Sequence, residues 1–149
     1  MIHLIKTNSQ NNDFIQLVAS LDAELAIKDG DDHDFYHQFN GITNLNYVVV
    51  AYKNKVAIGC GAIKPLDSSA MEIKRMFVPE SARGLGIATK ILRELEVWAS
   101  ELGYKKCVLE TGKKLSDAIA LYKKCKYEII PNYGQYIGIE SSICFEKKL

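Results

Sequence analysis

No apolar run in this 149-residue chain approaches the roughly 20 residues that a membrane-spanning helix needs. Charge of either sign is not in excess: Lys and Arg number 19 against 18 Asp and Glu, a net charge of +1. That balance excludes the broad basic field of a nucleic-acid or membrane-surface protein. The four cysteines, Cys60, Cys107, Cys125 and Cys144, form no C-x-x-C pair and no metal-like cluster with the three histidines. All four sit in apolar stretches, so the expectation is buried reduced thiols, no metal and a reducing compartment. The opening residues Met1-Ile2-His3-Leu4-Ile5-Lys6-Thr7 lack a basic stretch leading into an apolar core, so no secretion signal is expected. Together these absences predict a cytoplasmic protein with no nucleic-acid and no membrane partner. Two phosphate motifs are missing as well. There is no G-x-x-x-x-G-K-[ST] run, and no G-x-G-x-x-G followed by an acidic residue about 20 positions on.

What the chain does have is 48% hydrophobic and 25% charged residues, enough to bury one core, so residues 1–149 read as a single domain. The rest is organised around residues 76–92. A strand over 70–78 alternates, with Met71, Ile73 and Phe77 on one face and Glu72, Lys74, Met76 and Val78 on the other. Pro79 stops it. Then Arg83-Gly84-Leu85-Gly86-Ile87-Ala88 precedes a helix whose Ile87, Ile91, Leu95, Trp98 and Leu102 share one face, with Gly103 as its stop. Glycines let the backbone approach a ligand, and the unpaired N–H groups of a helix start attract anions. The bend is therefore a phosphate cradle with Arg83 at its lip, or simply a tight strand-to-helix turn.

Before this stretch, 2–6 reads as a strand. Residues 12–28 read as a helix with Phe14, Leu17, Val18, Leu21, Leu25 and Ile27 inward, capped by Asp13 or a preceding Asn. Residues 29–34 form an acidic loop and 35–40 a short aromatic helix, a cleft wall for a cationic amine or a solvated surface. Strands 45–53 and 56–64 flank a hairpin turn, and Gly59 and Gly61 point to a bulge or a close backbone approach. Strand 106–111 follows the glycine helix and should pair parallel with 70–78. Ser116 can cap a helix to about Cys125, and strands 127–130 and 140–146 close the chain. The strand-rich C-terminus leaves an edge suited to pairing into a homodimer.

Arg83-Gly84-Leu85-Gly86-Ile87-Ala88 resembles the [RQ]-x-x-G-x-[GA] signature of the GNAT superfamily of N-acetyltransferases. Glu72-Ile73-Lys74-Arg75-Met76-Phe77-Val78-Pro79 and Ala118-Ile119-Ala120-Leu121-Tyr122 are similar to GNAT elements in the same order, and the likeness covers about residue 45 onward. The resemblance implies an α/β (α+β) fold: a mixed, largely antiparallel sheet with a central parallel strand pair, flanked by helices. It implies transfer of the acetyl group of acetyl-coenzyme A to a primary amine of a small molecule by direct attack. A protein amino-group acetyltransferase and a non-catalytic acyl-coenzyme A sensor are the alternatives. The pyrophosphate falls to Arg83, Gly84, Leu85, Gly86, Ile87 and Ala88, and the pantetheine arm to backbone at Met76, Phe77 and Val78. Tyr122 matches the phenol beside the coenzyme sulfur and is a reasonable acid for a departing thiolate. It also reads as a core aromatic.

Glu72 is the base candidate, or an ion-pair partner of Lys74. Glu110, at the end of its parallel strand, is a second base candidate. Tyr133, Tyr136 and Glu140 are candidates for lining the acceptor pocket, or members of a packed turn. Lys126 stands where the family often has Gly, at a cost on the order of 1 kcal/mol if the helix exits left-handed.

Overall fold

The computed structural model describes residues 1–29 and 44–149, so the acidic loop expected at 29–34, apart from Asp29, and the aromatic helix expected at 35–40 lie outside the described residues. The elements are β1 (Ile2–Thr7), α1 (Asn12–Asp29), β2 (Tyr47–Lys53), β3 (Val56–Pro65), β4 (Ala70–Phe77), α2 (Ile87–Glu101), β5 (Lys106–Gly112), α3 (Ser116–Lys124), β6 (Glu128–Ile130) and β7 (Ser142–Lys148). The strands form one sheet in the order β1-β2-β3-β4-β5-β7-β6. Among the described residues only β4 and β5 run parallel, and every other neighbour is antiparallel. The expected mixed sheet with a central parallel pair is the observed one.

The Val48-Val49-Val50-Ala51 run explains why the sheet is covered on both sides, since a strand buried on two faces reads as continuously apolar. Val48 and Val50 pack under Phe14, Leu17, Val18 and Leu21 of α1. Val49 and Ala51 join Ile91 and Leu95 of α2 on the opposite face. Asn11 caps α1 through Oδ1, which accepts the Phe14 N–H at 2.9 Å, so the cap is an Asn before Asp13. Asp13 instead accepts the Tyr52 hydroxyl at 2.7 Å, tying the helix start to β2. Ile27, expected inward, is 84% exposed. The β2–β3 hairpin turns on Asn54 and Lys55, both with positive φ (52° and 66°), the twist-matched two-residue geometry.

Gly59 and Gly61 are needed because α2 lies directly on β3. A Cβ at Gly61 would stand 2.5 Å from Met76 Sδ and 2.9 Å from Leu95 Cδ1, and one at Gly59 would stand 2.9 Å from Ile91 Cδ1. The β3–β4 register also slips between Cys60 and Ala62, so bulge and close approach are both present.

The strand alternation expected for 70–78 fails at Arg75. Its φ is +57°, a left-handed residue inside β4. Up to that point Met71 and Ile73 face α2, as expected. Past it the parity reverses: Met76 and Val78 turn toward the α2 side, and Phe77 joins the α1 side. Glu72 and Met76 therefore do not share a face. A bulge residue adds one position to the strand, and period-2 reading has no way to count it.

Two helix ends use the same device. Gly103 (φ 94°) closes α2, its N–H bonding to Ser100 O while Tyr104 N–H reaches Ala99 O. At α3, Lys126 (φ 75°) bonds to Lys123 O and Tyr127 N–H to Tyr122 O. Ser116 is the first helical residue of α3 rather than its cap, and Leu115 holds the cap position without a side-chain bond.

Candidate functional site

Parallel pairing between β4 and β5 is short. Residues 70–72 pair with 106–108 and no further, so beyond Glu72 and Val108 the strands separate. The left-handed residue Arg75 follows three positions later in β4. The parting occurs earlier along β4 than the expected position near Val78. A cavity of about 370 Å³ fills the gap and passes through the sheet. On the α3 side it is bounded by Tyr122 and Leu121, along the open β4 edge by Met76 and Val78, and on the α1 side by Arg75 and Glu110.

The glycine bend lies at the outer end of this gap. Gly84 (φ 85°) and Gly86 (φ 75°) are both left-handed, and a Cβ at either would meet nothing within 4 Å. Conformation, not crowding by the protein, requires glycine there. Gly86 is the residue before α2, whose first backbone bond back to the bend is Lys90 N–H to Gly86 O at 3.1 Å. The N–H groups just before Lys90 have no acceptor within the helix, which suits an anion. Ala88 lines the cavity, Leu85 is 54% exposed, and Ile87 is buried beneath α2. Ile87 thus anchors the bend through packing and offers a ligand only its backbone.

Arg83 does not stand alone at the lip. Its Nε donates to Val78 O at 2.8 Å and its Nη2 to both Glu24 carboxylate oxygens at 2.9 and 3.0 Å. Glu24 in turn has its carboxyl drawn below the usual range, the two charges of Arg83 and Lys28 outweighing partial burial. Arg83 therefore clamps the start of the bend to α1 and occupies one lone pair of the Val78 carbonyl, leaving the Met76 and Val78 edge otherwise open.

Tyr122 is 7% exposed, with its ring 5.9 Å from that of Tyr127 and 6.0 Å from that of Phe145. Burial pushes its phenol above the ordinary tyrosine range, and the Glu110 carboxylate adds to the shift. Core aromatic and cavity wall are thus both true of it.

On the α1 side, charged groups crowd a second, smaller cavity of about 50 Å³ bounded by Glu72, Lys74, Arg75, Glu110 and Tyr136. Glu72 accepts the Tyr133 hydroxyl at 2.6 Å, and its other oxygen lies 3.9 Å from Lys74 Nζ. Burial lowers the Lys74 ammonium from its usual range, opposed by Glu72 and Glu110. Tyr133 is pushed up by burial and by Glu72. Arg75, whose side chain is 2% exposed, pairs through Nη2 with Asp22 of α1. Glu110 lines both cavities, whereas Glu72 lines only the small one.

The structure brings Met76, Val78, Arg83, Ala88, Glu110 and Tyr122 to one cavity and Glu72 and Tyr136 to its neighbour. Tyr133 bounds neither cavity and reaches this group through its bond to Glu72 and its edge contact with the Tyr136 ring at 5.9 Å. Glu140 is exposed and bounds neither cavity. Phe77 turns its ring into the α1 core and bounds the larger cavity from β4. Sequence reading passed over Arg75 and Thr111 of these walls and Asp22, the partner of Arg75. A signal was there in the Glu72-Ile73-Lys74-Arg75 run, since three charges in a central strand need buried partners.

Comparison with known proteins places this geometry. Residues 15–127 match the model of the acetyltransferase (GNAT) family. The chain is 39% identical over 87 residues to YjgM of Escherichia coli, an uncharacterised N-acetyltransferase. That stretch is 56% of this chain and 52% of YjgM, so the match spans about half the length of that relative. It is 35% identical over 102 residues to the IAA acetyltransferase of Azospirillum brasilense, 68% of this chain and 67% of that protein. A Klebsiella pneumoniae structure provisionally assigned as an acyl-CoA N-acyltransferase superposes with a TM-score of 0.84 at 26% identity, covering 100% of this chain and 98% of that one.

Proposed function

We propose that this chain, which belongs to the acetyltransferase (GNAT) family, transfers the acetyl group of acetyl-coenzyme A to a primary amine of a small molecule by direct attack. The observation that carries the reading is the cavity through the parted β4–β5 pair, with Tyr122 at one side of the sheet and Glu110 at the other. The fit of the coenzyme rests on the open β4 edge at Met76 and Val78 and on the two left-handed glycines with free space before them. A GNAT structure from Elizabethkingia anophelis with acetyl-CoA bound shares the fold at a TM-score of 0.72 and 21% identity.

Bound there, acetyl-coenzyme A supplies an activated thioester, and amide formation needs no covalent enzyme intermediate. Glu110 takes a proton from the acceptor ammonium, directly or through one water, because it bounds the cavity into which the amine would come. Glu72 is the weaker base candidate, held by Tyr133 and bounding only the small cavity. Tyr122 donates its phenolic proton toward the departing sulfur. With its pKa raised, it stays protonated across the neutral range and acts chiefly as a hydrogen-bond donor. The backbone N–H groups of 87–89 and the bend hold the pyrophosphate.

Release of free coenzyme A thiol from acetyl-coenzyme A, followed across a panel of small primary amines and amino-terminal peptides, tests this. Thiol release driven by small amines is the expected result. Tight coenzyme binding with no release over the panel would instead indicate a sensor, and release with peptides alone would move the acceptor to proteins.

A further inference from the structure

Arg75 is a residue in two costly situations at once. Its backbone holds a left-handed conformation that side chains rarely adopt, and its side chain is 2% exposed. One guanidinium nitrogen, Nη2, pairs with Asp22, while Nε is buried and has no acceptor among the described residues. A buried donor without a partner is costly and rare. This one belongs to a side chain that bounds both cavities, so an oxygen brought by a ligand is the natural acceptor. Charge narrows what carries that oxygen. Arg75, Lys74, Glu72 and Glu110 all bound the small cavity, with Lys74 Nζ 3.9 Å from Glu72 and Arg75 paired with Asp22. A neutral carbonyl would satisfy Nε alone. A carboxylate would gain a charge-assisted bond to the guanidinium and the field of the neighbouring ammonium.

Resting on the acetyltransfer reading, with Glu110 receiving the ammonium, we infer that the acceptor is a zwitterion: an α-amino acid whose carboxylate is bound by Arg75 Nε beside Lys74. Carboxylate and ammonium then meet Arg75 and Glu110, two residues that each bound both cavities. Arg75 is a recognition residue in this scheme, and the reacting nitrogen is held elsewhere.

The test compares matched triplets on the unaltered protein: alanine, leucine, methionine and phenylalanine, each against its carboxamide and its decarboxylated amine. The amino acid should exceed both by at least tenfold in kcat/KM within a triplet. Equal or better turnover of the carboxamide or amine overturns the inference and leaves acetyltransfer standing. No turnover of any amine, with coenzyme still bound, overturns both. Calorimetry adds a readout without turnover: N-acetylleucine should bind at least tenfold more tightly than N-isopentylacetamide, and equal affinity counts against the carboxylate site. Two variants then act in opposite directions. Arg75→Gln should raise KM for the preferred amino acid at least tenfold while changing KM for its decarboxylated amine less than threefold. Asp22→Asn, which removes the competing carboxylate, should lower KM for the amino acid. A uniform loss for both substrates in both variants would assign Arg75 and Asp22 to folding and reject recognition.

Discussion

Lys126 and Tyr122 show how one position can carry a cost or a function that its neighbours do not. Lys126 ends α3 in the left-handed region with a Cβ in place, and both backbone bonds of the cap are made. Lys126→Gly removes the steric cost and keeps the cap, so stability should rise by roughly 0.5–1 kcal/mol in chemical denaturation. A fall would mean that Lys126 contributes more through its side chain than it loses in its backbone. Tyr122→Phe keeps the ring that packs near Tyr127 and Phe145 and deletes only the hydroxyl. Turnover should drop on the order of 10²-fold with little change in coenzyme affinity. Change within about twofold would leave Tyr122 a packing residue. Because burial and Glu110 raise this phenol above the ordinary tyrosine range, any high-pH decline caused by its ionisation should begin above pH ~10, beyond an ordinary assay window.

At the scale of elements, the site depends on α2 resting directly on the backbone of β3. Gly61 allows this, since a Cβ there would meet Met76, Leu95 and Ile91 at 2.5, 2.9 and 3.0 Å. Overpacking of that kind costs about 1–3 kcal/mol, more than the ~0.4–1 kcal/mol that Gly→Ala gains by restricting the unfolded chain. Gly61→Ala should therefore lower stability. Gly112→Ala is the contrast: its nearest neighbour would be Leu115 Cγ at 3.6 Å, an ordinary contact at a φ outside the left-handed region, so stability should hold or rise slightly. Equal effects in thermal melts of the two variants would show that α2 has room to move.

For the molecule as a whole, buried acids that stay protonated set the alkaline limit. Burial pushes Cys60 and Cys107 up to about 12, against Arg75 in the first case and reinforced by Glu96 in the second. Tyr127, Tyr133 and Tyr136 are raised as well, burial again the main cause. Each group binds its proton more tightly folded than unfolded. The stability involved is fully present below the unfolded thiol value near ~8.5 and is lost as pH rises from there toward about 12. Each such thiol contributes a slope of about 1.4 kcal/mol per pH unit in that window, and the tyrosines add to it above pH ~10. Denaturation midpoints from pH 7 to 11 should be flat at first and then fall steeply. A flat profile to pH 11 would mean that these groups ionise without unfolding.

The order of elements, the family signature and the core face of α1 apart from Ile27 were legible in the sequence, because periodicity and glycine placement are local properties of a chain. Gly103 and the left-handed exit at Lys126 belong to the same class, as each follows from how a helix must end. Arg75 was not legible. A single left-handed residue reversed the faces of Met76, Phe77 and Val78, close beyond the point where the β4–β5 pairing ends, and no pattern of residue types marks where a bulge will fall. Nor did sequence show that Arg83 would be held by Glu24, 59 residues away, or Glu72 by Tyr133, 61 residues away. Local spacing decides which segments become strands and helices, whereas the partner of a buried charge is decided only when distant segments are packed together.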